Sequence, residues 1–139
     1  MRSRRVIRGR LADNERRRII VDDGNFNDGW SITRFVVAGD NVNSDEVSAK
    51  VSYKRISSLQ WDWGNSLEIA WASTRQTVQA NCGGHPSAID PSAVIVADLY
   101  VAGTSANGND INFMIEIERV SWSDDQAILA LIQERGQDD

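Results

Sequence analysis

Alternating apolar and polar residues near the C-terminal end give the clearest structural signal in the sequence. From Ile111 to Glu118, isoleucine and phenylalanine occupy every second position, with asparagine, methionine and glutamate between them. Successive side chains of a β-strand point to opposite faces of a sheet, so this period of two predicts a strand with one buried face. We therefore predict a half-buried strand over 111–122, around which the rest of the domain is organised.

Shorter patterns of the same kind predict further strands upstream. They are separated by stretches rich in glycine, asparagine and aspartate, which are typical of turns. The predicted strands are 6–12, 16–21, 30–38, 46–54, one with Leu67, Ile69 and Trp71 on a single face, 94–102 and 111–122. In the most regular of them, 46–54, we predict that Val47, Ala49, Val51 and Tyr53 face the core and that Ser48, Lys50, Ser52 and Lys54 face solvent.

The order of these elements predicts the fold class. Strands that follow one another without crossover helices pair antiparallel, and two such sheets bury their apolar faces against each other. We predict an all-β antiparallel sandwich of seven or eight strands, with a jelly roll as the preferred arrangement. The segment 103–110 is interpreted as the turn of a hairpin into Ile111, and 75–92 as a long excursion.

One helix is predicted, at the end of the chain. Ser123 and Gln126 have the spacing of a capping box, in which each side chain satisfies the other residue's free amide. The helix continues to 135, and Ile128, Leu131 and Ile132 fall on one apolar stripe. An isolated helix of this length is marginal in water, so we expect the stripe to dock on the sandwich.

Charge divides the chain into a basic beginning and an acidic remainder. Residues 1–18 contain eight arginines and two carboxylates, a net charge of +6, so the other residues carry −11 to give the total of −5. We interpret the single domain as a basic N-terminal arm with the first strand (1–18), a β-sandwich (19–122) and a C-terminal helix and tail (123–139). No run is apolar enough for a membrane span or a secretory signal, so we expect synthesis in a cytoplasm and no membrane partner.

Residues that usually perform catalysis or bind metals are scarce. Cys82 and His85 have the spacing of half a zinc site, but they are the only cysteine and the only histidine, whereas structural zinc needs four ligands. The loop 22–29 is rich in oxygen ligands but has Asp28 where a calcium loop needs its central glycine. We therefore predict that the protein is not an enzyme, with no catalytic residue, no metal site and no cofactor.

Two tryptophans are candidates for contacts with other molecules. Trp61 and Trp63 are separated by one residue, so in a strand they would share a face. Three interpretations remain open for this pair: core packing, a contact with another subunit, or stacking on a sugar ring.

The arginines of the N-terminal arm are the second candidate. They could contact phosphate groups, or they could dock on the acidic surface of a neighbouring copy. Because the remainder of the chain carries −11 and would repel phosphate, we expect the arm to lie as a strand on a neighbouring copy and to be separable from the folded sandwich. The arginines concerned are Arg2, Arg4, Arg5, Arg8 and Arg10.

Three segments resemble small uncharacterised structural proteins of marine bacteriophages: Arg8–Gly24, Leu67–Thr74 and Ser123–Arg135. The resemblance implies a virion component present in many copies, which would be a subunit of the capsid, its decoration, a vertex or the tail. It also implies production in the host cytoplasm, with other virion proteins and copies of the chain itself as partners. The alternative function is a carbohydrate-binding β-sandwich module for host attachment, which would use Trp61, Trp63 and the loop 76–92.

The docked helix gives a first prediction. Leu131→Ala should lower the free energy of unfolding by about 2–5 kcal/mol, because it would leave a cavity where the stripe packs on the sandwich. Thermal or chemical denaturation measures this change. An unchanged melting temperature would show that Leu131 is solvated in the free protein.

Overall fold

Two antiparallel β-sheets pack face to face in the computed structural model, which describes residues 4–21, 28–41, 46–74 and 87–121. The all-β sandwich predicted from the sequence is thereby confirmed. The predicted C-terminal helix lies outside the described residues, as does Arg2. The strands are β1 (Arg4–Leu11), β2 (Arg16–Ile20), β3 (Asp28–Gly39), β4 (Val47–Ser52), β5 (Glu68–Thr74), β6 (Ser87–Ile89), β7 (Asp98–Ser105) and β8 (Ile111–Ser121).

The strand order is that of a rolled antiparallel ribbon. One sheet has the order β1-β8-β3 and the other the order β2-β7-β4-β5-β6. Three ladders, β1/β8, β2/β7 and β4/β5, pair the first half of the chain with the second half as one long antiparallel ribbon. The ribbon then rolls up, and two further ladders, β3/β8 and β4/β7, form where its strands meet. This strand order is similar to that of a jelly roll. β6 lies at a corner, since it pairs with β5 while the Ser87 hydroxyl donates to the Phe35 carbonyl of β3 at 2.9 Å.

The core lies between the sheets and takes alternate residues from the paired strands. In β8 the residues at 111, 113, 115 and 117 are all buried, as the alternation predicts. Ile115 is in register with Ile7 of β1 on one side and with Phe35 of β3 on the other. β8 is therefore the central strand of its sheet, and its apolar face is enclosed by both neighbours and by the opposite sheet.

The connection between β7 and β8 is not the predicted hairpin. β7 continues to Ser105, through the first three positions of the predicted turn, and it pairs with β2 and β4. β8 pairs instead with β1 and β3, so the turn carries the chain from one sheet to the other. Gly108 supplies the left-handed backbone of this turn, with φ of 76°. A turn motif specifies a reversal of direction, but it does not specify which sheet the next strand joins.

The basic arm also differs from its prediction. Arg4 and Arg5, which precede the predicted first strand 6–12, belong to β1, which is an edge strand of the three-stranded sheet. β1 pairs with β8 along its whole length, and Leu11 at its end is completely buried. The apolar residues between the arginines therefore belong to a strand of the chain's own sheet. Leu11 is part of the core between the two sheets, and Ile7 packs against that core.

Two side-chain faces predicted for β4 and β5 are wrong. Lys50 and Ser52, expected in solvent, are 1% and 4% exposed, because another segment of the chain covers this outer face of the sheet. Ile69 and Trp71 do not share a face, since the register between β4 and β5 shifts at this point. Val51 pairs with Ala70 and Ser52 with Glu68, so Ile69 is an extra residue, and Glu68 and Trp71 come to lie on the outer face together.

Truncation tests whether β1 is part of the folded domain. Removing residues 1–11 should abolish cooperative unfolding or lower the melting temperature sharply, because the edge of β8 and the pocket of Leu11 would be exposed. Circular dichroism and thermal denaturation measure the effect. The control is Arg4→Ser/Arg8→Ser, which keeps the strand and removes two exposed charges, and which should melt close to the parent chain. A truncated protein that folds as stably as the parent would contradict the placement of β1.

Candidate functional site

A segment between β4 and β5 covers the outer face of the five-stranded sheet. We call residues 53–66 the tryptophan loop. Its ends are joined where the Tyr53 amide donates to the Leu67 carbonyl at 2.9 Å. Arg16 of β2 holds the loop from across the sheet, with Nε 2.9 Å from the Ile56 carbonyl and Nη2 bonded to the Ser57 carbonyl. The loop is therefore fixed across several strands rather than only at its ends.

A buried ion pair lies beneath this loop. Lys50 Nζ of β4 is 2.9 Å from Glu68 Oε2 of β5, and each side chain is 1% exposed. Glu68 Oε1 also accepts a hydrogen bond from the Trp71 indole at 2.8 Å. Burying two charges is costly unless the remaining donors and acceptors are satisfied, so the other contacts of this pair are important.

Those other contacts fix the backbone on both sides of Trp61. Lys50 Nζ donates to the Gln60 carbonyl at 2.8 Å, and Glu68 Oε1 accepts from the Asp62 amide at 2.9 Å. The residue before Trp61 and the residue after it are thus each bonded to one member of the ion pair. The conformation of the loop at Trp61 is therefore set by two charged groups of the sheet.

The two tryptophans of the loop have different environments. Trp63 is 68% exposed and meets Trp71 edge to face, with ring centroids 5.9 Å apart. Trp61 is half-buried, and its indole N–H is buried without an acceptor among the described residues. Neither residue lies in a strand or belongs to the core between the sheets. Core packing is therefore not the role of this pair.

A polar groove lies beside Trp61 on the same outer face. Three hydroxyl-bearing residues of adjacent strands are aligned by register across it, with Ser48 of β4 between Thr104 of β7 and Ser73 of β5. Trp61 forms part of the wall together with Leu59 and Gln60, and the groove has a volume of about 650 Å³. A smaller pocket of about 420 Å³ shares the three hydroxyl-bearing residues and extends to Glu46. We call the combined feature the hydroxyl groove.

The arginines of β1 are mostly compensated within the chain. Arg10 is 2.6 Å from Asp40 and 3.4 Å from Asp110, and Arg4 is 3.8 Å from Glu116. Arg5 lies over the Trp30 ring, 5.2 Å from its centroid, and donates to the Val21 carbonyl. Within the described part of the chain, Arg8 alone among the β1 arginines has no such contact. These side chains therefore do not form one continuous free cationic surface.

Lys50, Glu68 and the aligned hydroxyls are not among the sites that the sequence predicts. Lysine and serine at alternate positions of a strand normally indicate that this face of the strand is exposed to solvent. A loop that covers the face from elsewhere in the chain leaves no periodic signal in the strand's own sequence. The one local indication is Glu68, which stands between Leu67 and Ile69.

Metal and membrane sites receive no support from the described residues. Those residues include no group of three or more histidine, cysteine, aspartate or glutamate side chains able to hold a metal ion. They also include no helix long and apolar enough to cross a membrane. Cys82, His85 and most of the loop 22–29 lie outside the described ranges.

No family model, curated protein or solved structure matches this chain. The geometry of the tryptophan loop and of the hydroxyl groove is therefore the basis for assigning a function.

The ion pair gives a prediction about stability. Lys50→Met should lower the free energy of unfolding by about 3–5 kcal/mol, because Glu68 would remain buried without its cation. Urea denaturation measures the loss, and tryptophan fluorescence shows whether the loop is released. The double variant Lys50→Met/Glu68→Leu should recover part of the loss, since it removes both buried charges. A single variant as stable as the parent would mean that the pair does not hold the loop.

Proposed function

We propose that this protein is a structural subunit that acts by self-association, as a component of a bacteriophage virion. The observation that carries the proposal is the exposure of Trp63 on a loop whose backbone is fixed by a buried ion pair. Tryptophan is among the residues that contribute most to protein interfaces, and Trp63 is the most exposed large apolar side chain of the described residues. Because this loop is already ordered, little conformational entropy is lost when Trp63 is buried by a partner.

The jelly-roll-like sandwich is compatible with this role. Capsid subunits use this arrangement, but so do lectins and some enzymes, so the fold alone does not select the function. The assignment to a virion is supported by the resemblance of three segments to structural proteins of marine bacteriophages. In an assembly of many copies, a modest contact at each Trp63 would be multiplied by repetition. The proposed partners are copies of the same chain and other virion proteins.

The arginines favour a protein partner over nucleic acid. Arg10 and Arg4 already have carboxylate partners, and Arg5 is engaged by Trp30. Phosphate binding depends on free cations that can replace counterions, and two of the four described β1 arginines already have carboxylate partners. The body is acidic overall, so contact with the genome would be opposed by its charge.

Substitution of Trp63 tests the proposal. Trp63→Ala should lower the oligomeric state, or weaken assembly at least tenfold in protein concentration, because Trp63 is the largest and most exposed apolar side chain of the described residues. Sedimentation velocity and native mass spectrometry measure the assembly. The matched control is Ile20→Ala, which changes another exposed apolar residue, 61% exposed on β2, and should leave assembly unchanged. A parent chain that stays monomeric up to millimolar concentration, alone and with the other virion proteins, would contradict the proposal.

A further inference from the structure

We propose that the hydroxyl groove is a binding site for a neutral saccharide, with Trp61 as its aromatic wall and Ser48, Ser73 and Thr104 as its floor. This site goes beyond self-association, which we assign to Trp63. Trp61 and Trp63, which the sequence analysis treats as one pair, thus receive different roles.

The floor has the chemistry that sugar hydroxyls require. Ser48 is in register with Ser73 on one side and with Thr104 on the other. Adjacent strands are about 4.8 Å apart, so the row extends about 10 Å across the sheet. Each hydroxyl can donate one hydrogen bond and accept others, as sugar hydroxyls do, and all three residues are only half-buried. Thr104 already donates its hydroxyl hydrogen to Asp13 Oδ1 at 3.2 Å, which orients the side chain and leaves its oxygen to accept from a ligand, whereas Ser48 and Ser73 can both donate and accept.

The wall is an aromatic ring held in place before any ligand arrives. Sugar rings present apolar C–H faces as well as hydroxyls, and indole rings pack against such faces. The bonds from Lys50 to the Gln60 carbonyl and from the Asp62 amide to Glu68 hold the backbone on both sides of Trp61. The Trp61 indole N–H has no acceptor among the described residues, so this backbone attachment, rather than a bond of its own, positions the ring. A fixed wall reduces the entropy lost on binding.

Charge and backbone pairing argue against other classes of ligand. The described residues of the floor and wall carry no charged side chain, and the ion pair beneath them is internally neutralised. Glu46, at the end of the adjoining pocket, would repel an anion such as a phosphate or a nucleic acid. An added peptide strand needs a free sheet edge, whereas β4 is paired with β5 and β7, and β7 is also paired with β2. The volume of about 650 Å³ is within the usual range for small-ligand sites.

Binding of defined sugars tests the assignment. The probes are neutral gluco-, galacto- and manno-oligosaccharides, followed by saturation-transfer NMR and calorimetry on the full chain. We expect at least one of them to bind with a dissociation constant in the millimolar range or below. Trp61→Ala should weaken that binding at least tenfold, and Trp61→Phe should retain part of it. Ser48→Ala/Ser73→Ala should also weaken binding at least tenfold, and this second variant leaves the aromatic wall intact if Trp61→Ala fails to fold.

The matched control is Trp63→Ala, which removes the other tryptophan of the loop and should leave sugar binding unchanged. The inference is overturned if none of the neutral oligosaccharides binds, or if binding survives both the Trp61 and the serine substitutions. It is also overturned if binding is lost in Trp63→Ala, or if sulfated oligosaccharides bind more tightly than neutral ones. Sedimentation of the same samples reports self-association separately, so failure of the sugar site leaves the proposed assembly role intact.

Discussion

The tryptophan loop depends on the buried pair of Lys50 and Glu68. A pair of well-packed apolar residues could give similar stability at this position, so stability alone does not explain buried charges. An apolar pair could not, however, donate to the Gln60 carbonyl and accept from the Asp62 amide. Two opposite charges provide a donor and an acceptor at adjacent points of the sheet. This pair therefore selects one conformation of the loop, and with it the positions of Trp61 and Trp63.

The rolled ribbon brings together groups that are distant in the sequence. Ser48, Ser73 and Thr104 belong to three strands that become neighbours only after β7 pairs with β4. Gly103 permits the close approach at this point, because a Cβ there would lie 3.0 Å from Ile111 Cδ1 and 3.1 Å from the Ser48 carbonyl. The packing of the two sheets and the alignment of the hydroxyl groove thus depend on the same region of β7.

The arginine-rich beginning of the chain serves several separate purposes. Arg16 holds the tryptophan loop, and Arg18 is bonded to Asp98 at 2.6 Å, which raises the pKa of that guanidinium. The hydrogen bond from the Ala12 amide lowers the pKa of Glu15, and Arg17 lowers it further. A charge cluster in the sequence is therefore divided between two sheets and the turn that joins them. Because most of these contacts are exposed, each contributes little to stability, and their main effect is on the position of side chains.

The sequence by itself determined the strand content, the fold class and most of the core. The alternation in β8 is sufficient for this, because a period of two places Ile111, Phe113, Ile115 and Ile117 on one face whatever the strand's neighbours are. Only the tertiary structure decided that β1 belongs to the sandwich, that the turn after β7 changes sheets, and that Lys50 is buried under a loop. Local patterns record which residues avoid water, but strand partners and covering loops depend on contacts between residues far apart in the chain, which leave no periodic signal.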